Sequence, residues 1–356
     1  MISDRIEETR DAISLALLVP TELRDTFRFS AGQYLTLQSV ADGQSLRRSY
    51  SICSTPQDYE QSGTIRVAIK RVDGGVYSTH AHETFRQGDS LSVMPPLGKF
   101  VLDAPADLGR GNYYLAFAAG SGITPILSIM QTALLEQKDC SFTLVYGNRS
   151  ADNILFLETL AGLKNQFIER VRLVHILSRQ PQETSLLNGR IDANKVNQLL
   201  ASLIDISRID QAFICGPHTM IDAVEGELVL AGLPKINIQS ERFGTPTIAR
   251  TSKVQMANAT VGKQASLQII LDGSTRTMPF SFDGPKLLDV ALAAGLDLPY
   301  ACKGGVCCTC RARVLSGEVK MEKNYTLEDW EIKKGYVLTC QCLPLTDNVV
   351  VSFDER

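Results

Sequence analysis

Residues 302–310 read Cys-Lys-Gly-Gly-Val-Cys-Cys-Thr-Cys, so four of the nine cysteines of this 356-residue chain lie within nine positions. Two more, Cys340 and Cys342, follow after a further 29 residues. The remaining three are scattered through the sequence at Cys53, Cys140 and Cys215. A dense group of cysteines beside scattered single ones favours a metal site over a disulfide framework.

The spacing within this group is C-x4-C-x2-C with a fourth cysteine 29 residues later, the plant-type pattern for a 2Fe-2S cluster bound by four thiolates. The predicted ligands are Cys302, Cys307, Cys310 and Cys340. Gly304 and Gly305 allow the loop to approach the sulfurs closely. A zinc ribbon is the alternative, although zinc ligands usually come as repeated C-x2-C pairs. We interpret Cys308 and Cys342 as packing residues rather than ligands.

Length and composition limit the possible classes of protein. A chain of 356 residues is expected to form two or three domains. The net charge of −3 and the absence of a basic stripe argue against nucleic-acid binding. The N-terminus does not resemble a signal peptide, and no run of 18 apolar residues predicts a membrane span. We therefore expect a soluble, cytoplasmic protein.

The sequence pattern changes twice along the chain. Residues 1–105 contain short strands between Gly, Pro and Asp turns, which predicts an antiparallel β-barrel or sandwich. In residues 106–245 apolar strands alternate with helices, which predicts a doubly wound α/β parallel sheet. Periodicity fades in 246–262, a predicted linker, and residues 263–356 begin with a hairpin and a helix before the cysteine loop.

Two stretches of the first predicted domain suit a flavin. Arg48-Ser-Tyr50-Ser51 ends a predicted strand with a cation, an aromatic ring and a hydroxyl, groups that suit a pyrophosphate, an isoalloxazine face and a flavin nitrogen. The alternative is a strand with Tyr50 buried and the arginine solvated. Gly75 and Ser78 belong to a Gly-Gly-Val-Tyr-Ser turn that suits phosphate, although Asp-Gly-Gly is also an ordinary hairpin turn.

A glycine-rich turn in the second predicted domain suits a dinucleotide. It joins an apolar strand predicted at Tyr113–Ala119 to a helix predicted at Ile123–Glu136. A pyrophosphate is favoured there by free N–H groups and the helix dipole. The candidate binding residues are Gly120, Gly122, Thr124 and Pro125. Pro125 departs from the G-x-G-x-x-G fingerprint, so we expect a variant of the usual Rossmann mode.

Two further strand ends complete the predicted nucleotide site. Cys215-Gly216-Pro217 closes the fourth parallel strand at the edge where such sheets bind ligands, and its thiol either faces a nicotinamide or packs as a small buried side chain. Ser178 and Arg179 follow the third strand and suit a 2′-phosphate, with a solvated loop arginine as the alternative. No acidic residue ends that strand, which disfavours NADH.

Taken together, these motifs resemble the ferredoxin–NADP reductase superfamily, in the version in which a ferredoxin domain follows at the C-terminus, as in oxygenase reductases. Longer segments are similar to the reductase subunits of phenylacetyl-CoA epoxidases, and the likeness covers nearly the whole chain. These segments are residues 46–53 (Leu-Arg-Arg-Ser-Tyr-Ser-Ile-Cys), 213–217 (Phe-Ile-Cys-Gly-Pro), 241–243 (Glu-Arg-Phe), 298–307 and 335–340.

The resemblance implies FAD on a β-barrel domain, NADPH on the α/β domain and a 2Fe-2S cluster on an α+β, β-grasp ferredoxin-like domain. It assigns Arg48 to the flavin pyrophosphate, Tyr50 to the isoalloxazine and Ser51 to the N5 region. The flavin phosphates fall to Gly75 and Ser78. The nicotinamide nucleotide falls to residues 120–125 and 215–220, including Gly216 and Pro217, and its 2′-phosphate to Ser178 and Arg179. Tyr50, Ser51 and Cys215 are the expected catalytic residues.

The implied activity is electron transfer from NADPH through FAD and the 2Fe-2S cluster to the oxygenase component of a multicomponent monooxygenase. The expected partner is the phenylacetyl-CoA epoxidase of aerobic phenylacetate degradation. Flavin accepts a hydride and releases single electrons, so the three modules convert a two-electron donor into a one-electron source. The alternatives are a reductase for another multicomponent or ring-hydroxylating oxygenase and a redox-sensing iron–sulfur flavoprotein.

Overall fold

The computed structural model describes residues 1–41, 43–102, 111–244 and 264–355. The chain forms two compact units, Met1–Phe243 and Gly244–Arg356. The predicted linker, 246–262, lies outside the described residues, and the predicted domain boundaries stay predictions. Among the helices of the described ranges, none is long and apolar enough to cross a membrane.

The first part of the first unit consists of two three-stranded antiparallel sheets, ordered β1-β2-β5 and β4-β3-β6. The strands are β1 (Ile2–Thr9), β2 (Ala12–Leu18), β3 (Tyr34–Ala41), β4 (Gln44–Ser51), β5 (Thr64–Lys70) and β6 (Ser92–Leu97). An antiparallel bridge between Ile52 and Val67 connects the two sheets. Both residues are fully buried in an apolar core with Leu15 and Leu35. This arrangement agrees with the predicted antiparallel β domain.

Two helices also belong to this part, and the sequence pattern did not predict them. Helix α1 (Pro56–Ser62) begins with a capping box, in which Thr55 accepts from the Asp58 N–H and Asp58 accepts from the Thr55 N–H. Helix α2 (Val76–Thr84) has Gly75 as its N-cap residue, where the sequence predicted a phosphate-binding turn.

The second part of the first unit is a five-stranded parallel sheet ordered β11-β10-β7-β8-β9. Its strands are β7 (Tyr113–Ala119), β8 (Ser141–Asn148), β9 (Val171–Leu177), β10 (Gln211–Gly216) and β11 (Ile238–Arg242). The helices are α3 (Ile123–Glu136), α4 (Leu157–Gln166), α5 (Ala193–Ser202) and α6 (His218–Leu230). Separate apolar cores cover the two faces, which is why the central strand β7 reads as an apolar run. The strand order reverses between β7 and β10, where open α/β sheets bind ligands.

The second unit has a mixed five-stranded sheet ordered β13-β12-β18-β14-β16 and a separate pair, β15-β17. Its strands are β12 (Gln264–Leu271), β13 (Ser274–Ser281), β14 (Arg311–Ser316), β15 (Val319–Met321), β16 (Tyr336–Leu338), β17 (Cys342–Pro344) and β18 (Asn348–Ser352). The helices are α7 (Leu287–Ala293) and α8 (Asp329–Lys333). Helix α7 buries Leu287, Leu288 and Ala291 in the core that also holds Leu267 and Ile269 of β12. The result is the α+β unit that the sequence predicted.

Candidate functional site

Three of the residues predicted to bind the flavin, Arg48, Tyr50 and Ser51, lie on β4. The side chain of Arg48 is exposed, and its Nη1 donates a hydrogen bond to the Arg47 carbonyl at 2.7 Å. The Tyr50 ring is half-buried, with its centroid 5.9 Å from that of Tyr77 in α2. Burial raises the pKa of both phenols, so neither ionises near neutral pH. Strand β4 and the start of α2 are therefore neighbours, which brings the two predicted flavin stretches together.

Helix α2 places its N-terminus at the predicted phosphate turn. The Ser78 hydroxyl accepts from the Val72 N–H at 3.0 Å and donates to the Gly75 carbonyl at 3.3 Å. A Cβ on Gly75 would lie 2.7 Å from the Ser78 oxygen and 2.9 Å from Val72 Cβ, so glycine is required for this close turn. A helix N-terminus with a glycine at its cap presents free N–H groups and a positive dipole end, which suit a phosphate.

A cavity of about 550 Å³ opens at the carboxyl ends of β7, β8 and β10 and includes the loop after β9. Six of the residues that the sequence analysis named individually as nucleotide-binding candidates line it. They are Gly120, Gly122, Ser178, Arg179, Gly216 and Pro217. Its volume falls in the range of small-molecule and cofactor sites.

Three other residues predicted for this site do not line the cavity. Thr124 is buried in the first turn of α3, where its hydroxyl donates to the Ser121 carbonyl at 3.0 Å. Pro125 is buried in the same turn. Cys215 is the next-to-last residue of β10 and is fully buried. The first two support the glycine turn from behind rather than forming the cavity wall.

Close packing explains Gly122. A Cβ at this position would lie 2.1 Å from the backbone oxygen of Cys215 and 2.6 Å from its carbonyl carbon. Because these are backbone atoms of β10, no side-chain movement relieves the clash. The glycine turn therefore rests directly on the neighbouring strand, at the point where the strand order reverses.

Three arginines surround the cavity, and sequence reasoning identified only Arg179. Arg149 follows β8, and Arg190 follows Gly189 in the segment before α5. All three side chains are exposed, and none has an ion-pair partner within the described ranges. Arg149 could have been predicted from the sequence as a residue of this site, because it directly follows a parallel strand and the carboxyl ends of such strands meet at one edge of the sheet.

Asn148 ends β8 at the cavity wall. The residue is 8% exposed, and its Nδ2 has no hydrogen-bond partner among the residues that the structure describes. Burial raises the pKa of the neighbouring Tyr146 phenol. The Tyr146 hydroxyl donates to the Gly120 carbonyl at 2.9 Å. A buried donor without a partner is uncommon and marks a favourable place for a ligand acceptor.

A hydrogen bond joins the flavin-binding and nucleotide-binding parts of the first unit. The Ser51 hydroxyl donates to Oε2 of Glu241 at 3.1 Å across 190 residues of sequence. In the parallel register, Glu241 on β11 lies beside Cys215 on β10. The sequence analysis quoted Glu241 in a segment of family likeness but gave it no role. The structure shows that it lies with two of the three predicted catalytic residues.

Burial controls the charge of this group. Burial raises the pKa of the Glu241 carboxyl to about 8, and the hydrogen bond from Ser51 offsets part of the rise. The pKa of the Cys215 thiol is also raised, first by burial and then by the Glu241 charge. At neutral pH the Glu241 carboxyl and the Cys215 thiol are therefore mainly protonated and uncharged.

The four predicted iron ligands converge in the second unit. The Cys307 thiol donates to the Cys302 sulfur at 3.1 Å, and the Gly304 N–H donates to the same sulfur at 3.3 Å. The Thr339 N–H and hydroxyl both donate to the Cys310 carbonyl, at 3.2 and 2.9 Å, which holds the neighbouring Cys340 close to Cys310. Four cysteines gathered in this way, with a backbone N–H directed at one sulfur, fit the donor set of a 2Fe-2S cluster.

The loop backbone and the two other cysteines support this interpretation. Gly305 has a φ of +78°, and a Cβ there would lie 2.9 Å from the Lys323 backbone oxygen. The buried Cys342 thiol donates to the Leu338 carbonyl at 3.3 Å, and Cys308 is half-buried. No group of three His, Cys, Asp or Glu side chains that could hold a metal ion is found in the described part of the chain. A 2Fe-2S cluster differs from such a site, since its four thiolates are shared between two irons.

Family models match each part of the chain. The oxidoreductase FAD-binding domain matches residues 1–102, and the oxidoreductase NAD-binding domain matches 117–226. The 2Fe-2S iron-sulfur cluster binding domain matches 269–345. These matches confirm the predicted order of flavin, nucleotide and iron–sulfur modules.

Similar proteins extend over almost the whole chain. One of the subunits of 1,2-phenylacetyl-CoA epoxidase from Escherichia coli is 45% identical over 98% of this chain and 95% of its own length. The chain belongs to this family of oxygenase reductases. A second member, the ferredoxin reductase component of 3-ketosteroid-9-alpha-monooxygenase from Rhodococcus rhodochrous, is 33% identical over 99% of the reductase described here and 95% of its own length. The solved structure of phthalate dioxygenase reductase has the same fold, with a TM-score of 0.58 over 99% of this chain and 96% of that one at 23% identity.

Membership of this family identifies the overall activity of the chain as electron transfer from NAD(P)H through FAD and a 2Fe-2S cluster. FAD accepts a hydride and passes on single electrons, and the cluster carries one electron at a time. No acid–base side chain is needed for the hydride step itself.

Proposed function

We propose that this chain is the NADPH-dependent reductase of a phenylacetyl-CoA epoxidase. The observation that carries the proposal is the 45% identity, over 98% of the chain, to the matching component of that enzyme from Escherichia coli. The reductase then delivers electrons one at a time to the oxygenase component, a separate protein. Cysteines that include buried free thiols suit a reducing compartment, which supports a cytoplasmic location.

The preference for NADPH is supported by the charge around the nucleotide cavity. NADPH carries a 2′-phosphate that NADH lacks, and guanidinium groups bind phosphate by paired, charge-assisted hydrogen bonds. Arg149, Arg179 and Arg190 line the cavity without ion-pair partners among the described residues. No carboxylate of the described residues lines it, whereas a carboxylate in this region would favour the free ribose hydroxyl of NADH.

Each candidate residue takes a role in this proposal. Arg48 binds the flavin pyrophosphate, and the N-terminus of α2, with Gly75 and Ser78, binds phosphate. Tyr50 packs on the isoalloxazine, and Ser51 contacts the N5 region. The nucleotide site contains Gly120, Gly122, Ser178, Arg179, Gly216 and Pro217, supported by Thr124 and Pro125. Cys215 lies behind the nicotinamide position, and the cluster ligands are Cys302, Cys307, Cys310 and Cys340.

The second candidate function has the same electron path from the nucleotide through FAD and the cluster, but a different oxygenase as the partner. The 33% identity to a 3-ketosteroid-9-alpha-monooxygenase reductase component, again over nearly the full chain, favours a reductase for a different oxygenase. The sites described above do not distinguish the two, because every cofactor site serves either partner.

The test combines a titration with a partner assay. Under anaerobic conditions, NADPH is added while flavin absorbance and the electron paramagnetic resonance of reduced iron are followed together. Uptake of about three electrons per chain, two in FAD and one in the cluster, is expected. The reduced protein is then mixed with the purified oxygenase of phenylacetyl-CoA epoxidase or with a ketosteroid monooxygenase oxygenase. Faster oxidation of the reduced protein by the phenylacetyl-CoA epoxidase oxygenase supports the proposal. Oxidation by the ketosteroid monooxygenase oxygenase alone supports the second candidate instead.

A further inference from the structure

A buried glutamine follows the fourth predicted iron ligand in the second unit. Gln341 ends the short 3-10 turn Thr339–Gln341 and is only 6% exposed. Helix α7 packs against this turn. Glutamine is seldom buried unless its amide finds hydrogen-bond partners, so the position indicates a specific role for this side chain.

The amide nitrogen of Gln341 has acceptors in two of the segments that carry iron ligands. Its Nε2 donates to the Lys303 carbonyl at 3.1 Å and to the Cys340 carbonyl at 2.9 Å. Because carbonyl oxygens only accept, the nitrogen of the amide and not its oxygen must face them. The same nitrogen lies 3.5 Å from the sulfur of Cys340. Lys303 directly follows Cys302, so one side chain joins the segments of the first and fourth ligands.

We propose that Gln341 is a positioning residue of the iron–sulfur site, whose amide holds Cys340 against the cluster loop and donates an N–H to its ligand sulfur. The inference rests on the proposed assignment of Cys302, Cys307, Cys310 and Cys340 as the iron ligands. The sulfur of Cys340 is a thiol in this structure and stands in for the thiolate that binds iron. A thiolate is a stronger acceptor than a thiol, so the contact with the amide is stronger in the loaded site.

The hydrogen bond has a defined effect on the reduction potential. Hydrogen bonds to the ligand sulfurs are among the factors that set the potential of an iron–sulfur site. The reduced site carries one more negative charge than the oxidised site, so an N–H donor stabilises the reduced state more strongly. Gln341 therefore raises the potential and favours acceptance of an electron from FAD. A side chain that only filled the same space would not have this effect.

The experiment measures the reduction potential of the full chain loaded with FAD and the cluster, by redox titration followed with electron paramagnetic resonance. Q341M keeps the approximate volume of the side chain and removes its N–H groups, whereas Q341A removes them and leaves a cavity. Q268M is the matched control, because Gln268 is half-buried on β12, a strand that carries none of the proposed ligands. At a fixed solution potential, Q341M and Q341A should both lower the ratio of reduced to oxidised cluster about 10-fold, or by about 59 mV for this one-electron couple. Q268M should match wild type.

A second measurement needs no variant. Gln341 is the one glutamine of the sequence between residues 302 and 342. In wild-type protein whose glutamine side-chain amides carry ¹⁵N, pulsed paramagnetic resonance should detect a magnetic coupling between this nitrogen and the reduced iron. The coupling should be absent from Q341M labelled in the same way.

The outcomes separate a positioning role from simple packing. A potential in Q341M equal to that of wild type would overturn the proposal and leave the cluster assignment and the proposed function intact. A shift in Q341A alone would overturn it too, because the side chain would then only fill space. If Q341M retains no cluster, the labelled wild-type protein decides, and absence of the coupling rejects the proposal. If wild-type protein shows no signal of reduced iron, the cluster assignment fails first and the inference fails with it.

Discussion

The charge of Glu241 gives the sharpest test of the cleft between the two parts of the first unit. Its carboxyl has a pKa of about 8, against 4.5 for the free side chain. At pH 7 about nine in ten of the carboxyls are then protonated, whereas about one in 300 would be if the pKa were ordinary. Replacement by glutamine, E241Q, keeps the shape and the neutral state and removes the titration.

The raised pKa also makes stability depend on pH. Between pH 4.5 and 8 the unfolded chain has lost this proton and the folded protein keeps it, so the free energy of unfolding decreases as pH rises. Over the full range the decrease is about 5 kcal/mol, and between pH 6 and 8 it is about 2 kcal/mol. Below pH 4.5 both states are protonated and the penalty is absent. E241Q lacks this slope, so its stability advantage over wild type should increase with pH.

Two measurements check this prediction. Difference infrared spectroscopy of wild type minus E241Q should show the carbonyl band of a neutral carboxyl at pH 7, and the band should disappear with a midpoint near pH 8. Calorimetric unfolding at pH 6 and 8 should show the larger loss of stability in wild type. Flavin reduction by NADPH should slow above pH 8 in wild type and remain level in E241Q, because a carboxylate there opposes approaching negative charge.

A different infrared midpoint would refute the reasoning. If the neutral-carboxyl band were gone by pH 6, Glu241 would be ionised at neutral pH and burial would not control its charge. Parallel stability profiles of wild type and E241Q would lead to the same conclusion.

Three further predictions concern the other sites. C340S should abolish the paramagnetic resonance signal of reduced iron and leave flavin reduction by NADPH intact, whereas C342S should keep the signal; spectra of both variants check this. G122A should lower the free energy of unfolding by about 1–3 kcal/mol and abolish most of the nucleotide affinity, because the added methyl group clashes with the backbone of β10. Chemical denaturation measures the stability, and calorimetry measures the nucleotide affinity. G162A, whose added methyl group meets nothing within 4 Å in α4, is the matched control and should gain up to about 1 kcal/mol. R179Q should raise KM for NADPH more than about 10-fold and leave KM for NADH unchanged, as steady-state kinetics with both nucleotides would show.

Local patterns made part of the fold and site predictable. Strand β7 and helix α3 begin and end where the sequence predicted, because a fully buried strand is a continuous apolar run and the glycine turn marks the boundary. The match of the last part to a 2Fe-2S domain was predictable from a local pattern too, since three of the four proposed iron ligands lie in one loop at fixed spacing.

Elements whose burial depends on distant residues were not predictable. Half of the residues of strand β1 (Ile2–Thr9) are charged, and the strand pairs with β2 on one side only, so it has no alternating apolar pattern. Helix α2 contains Tyr77, which is buried, beside polar residues that give it little amphipathic character, and the Asp-Gly-Gly before it indicated a turn. The contact of Ser51 with Glu241 depends on the packing of one part against the other, which no local pattern records.

The three arginines around the nucleotide cavity also affect how the protein is handled. Like charges that share a cavity repel one another, so inorganic phosphate should bind there weakly whenever nucleotide is absent. In phosphate buffer the protein should melt at a higher temperature and show a higher apparent KM for NADPH than in a buffer of equal ionic strength without phosphate. A choice of buffer made for stability would then lower the measured affinity for the substrate.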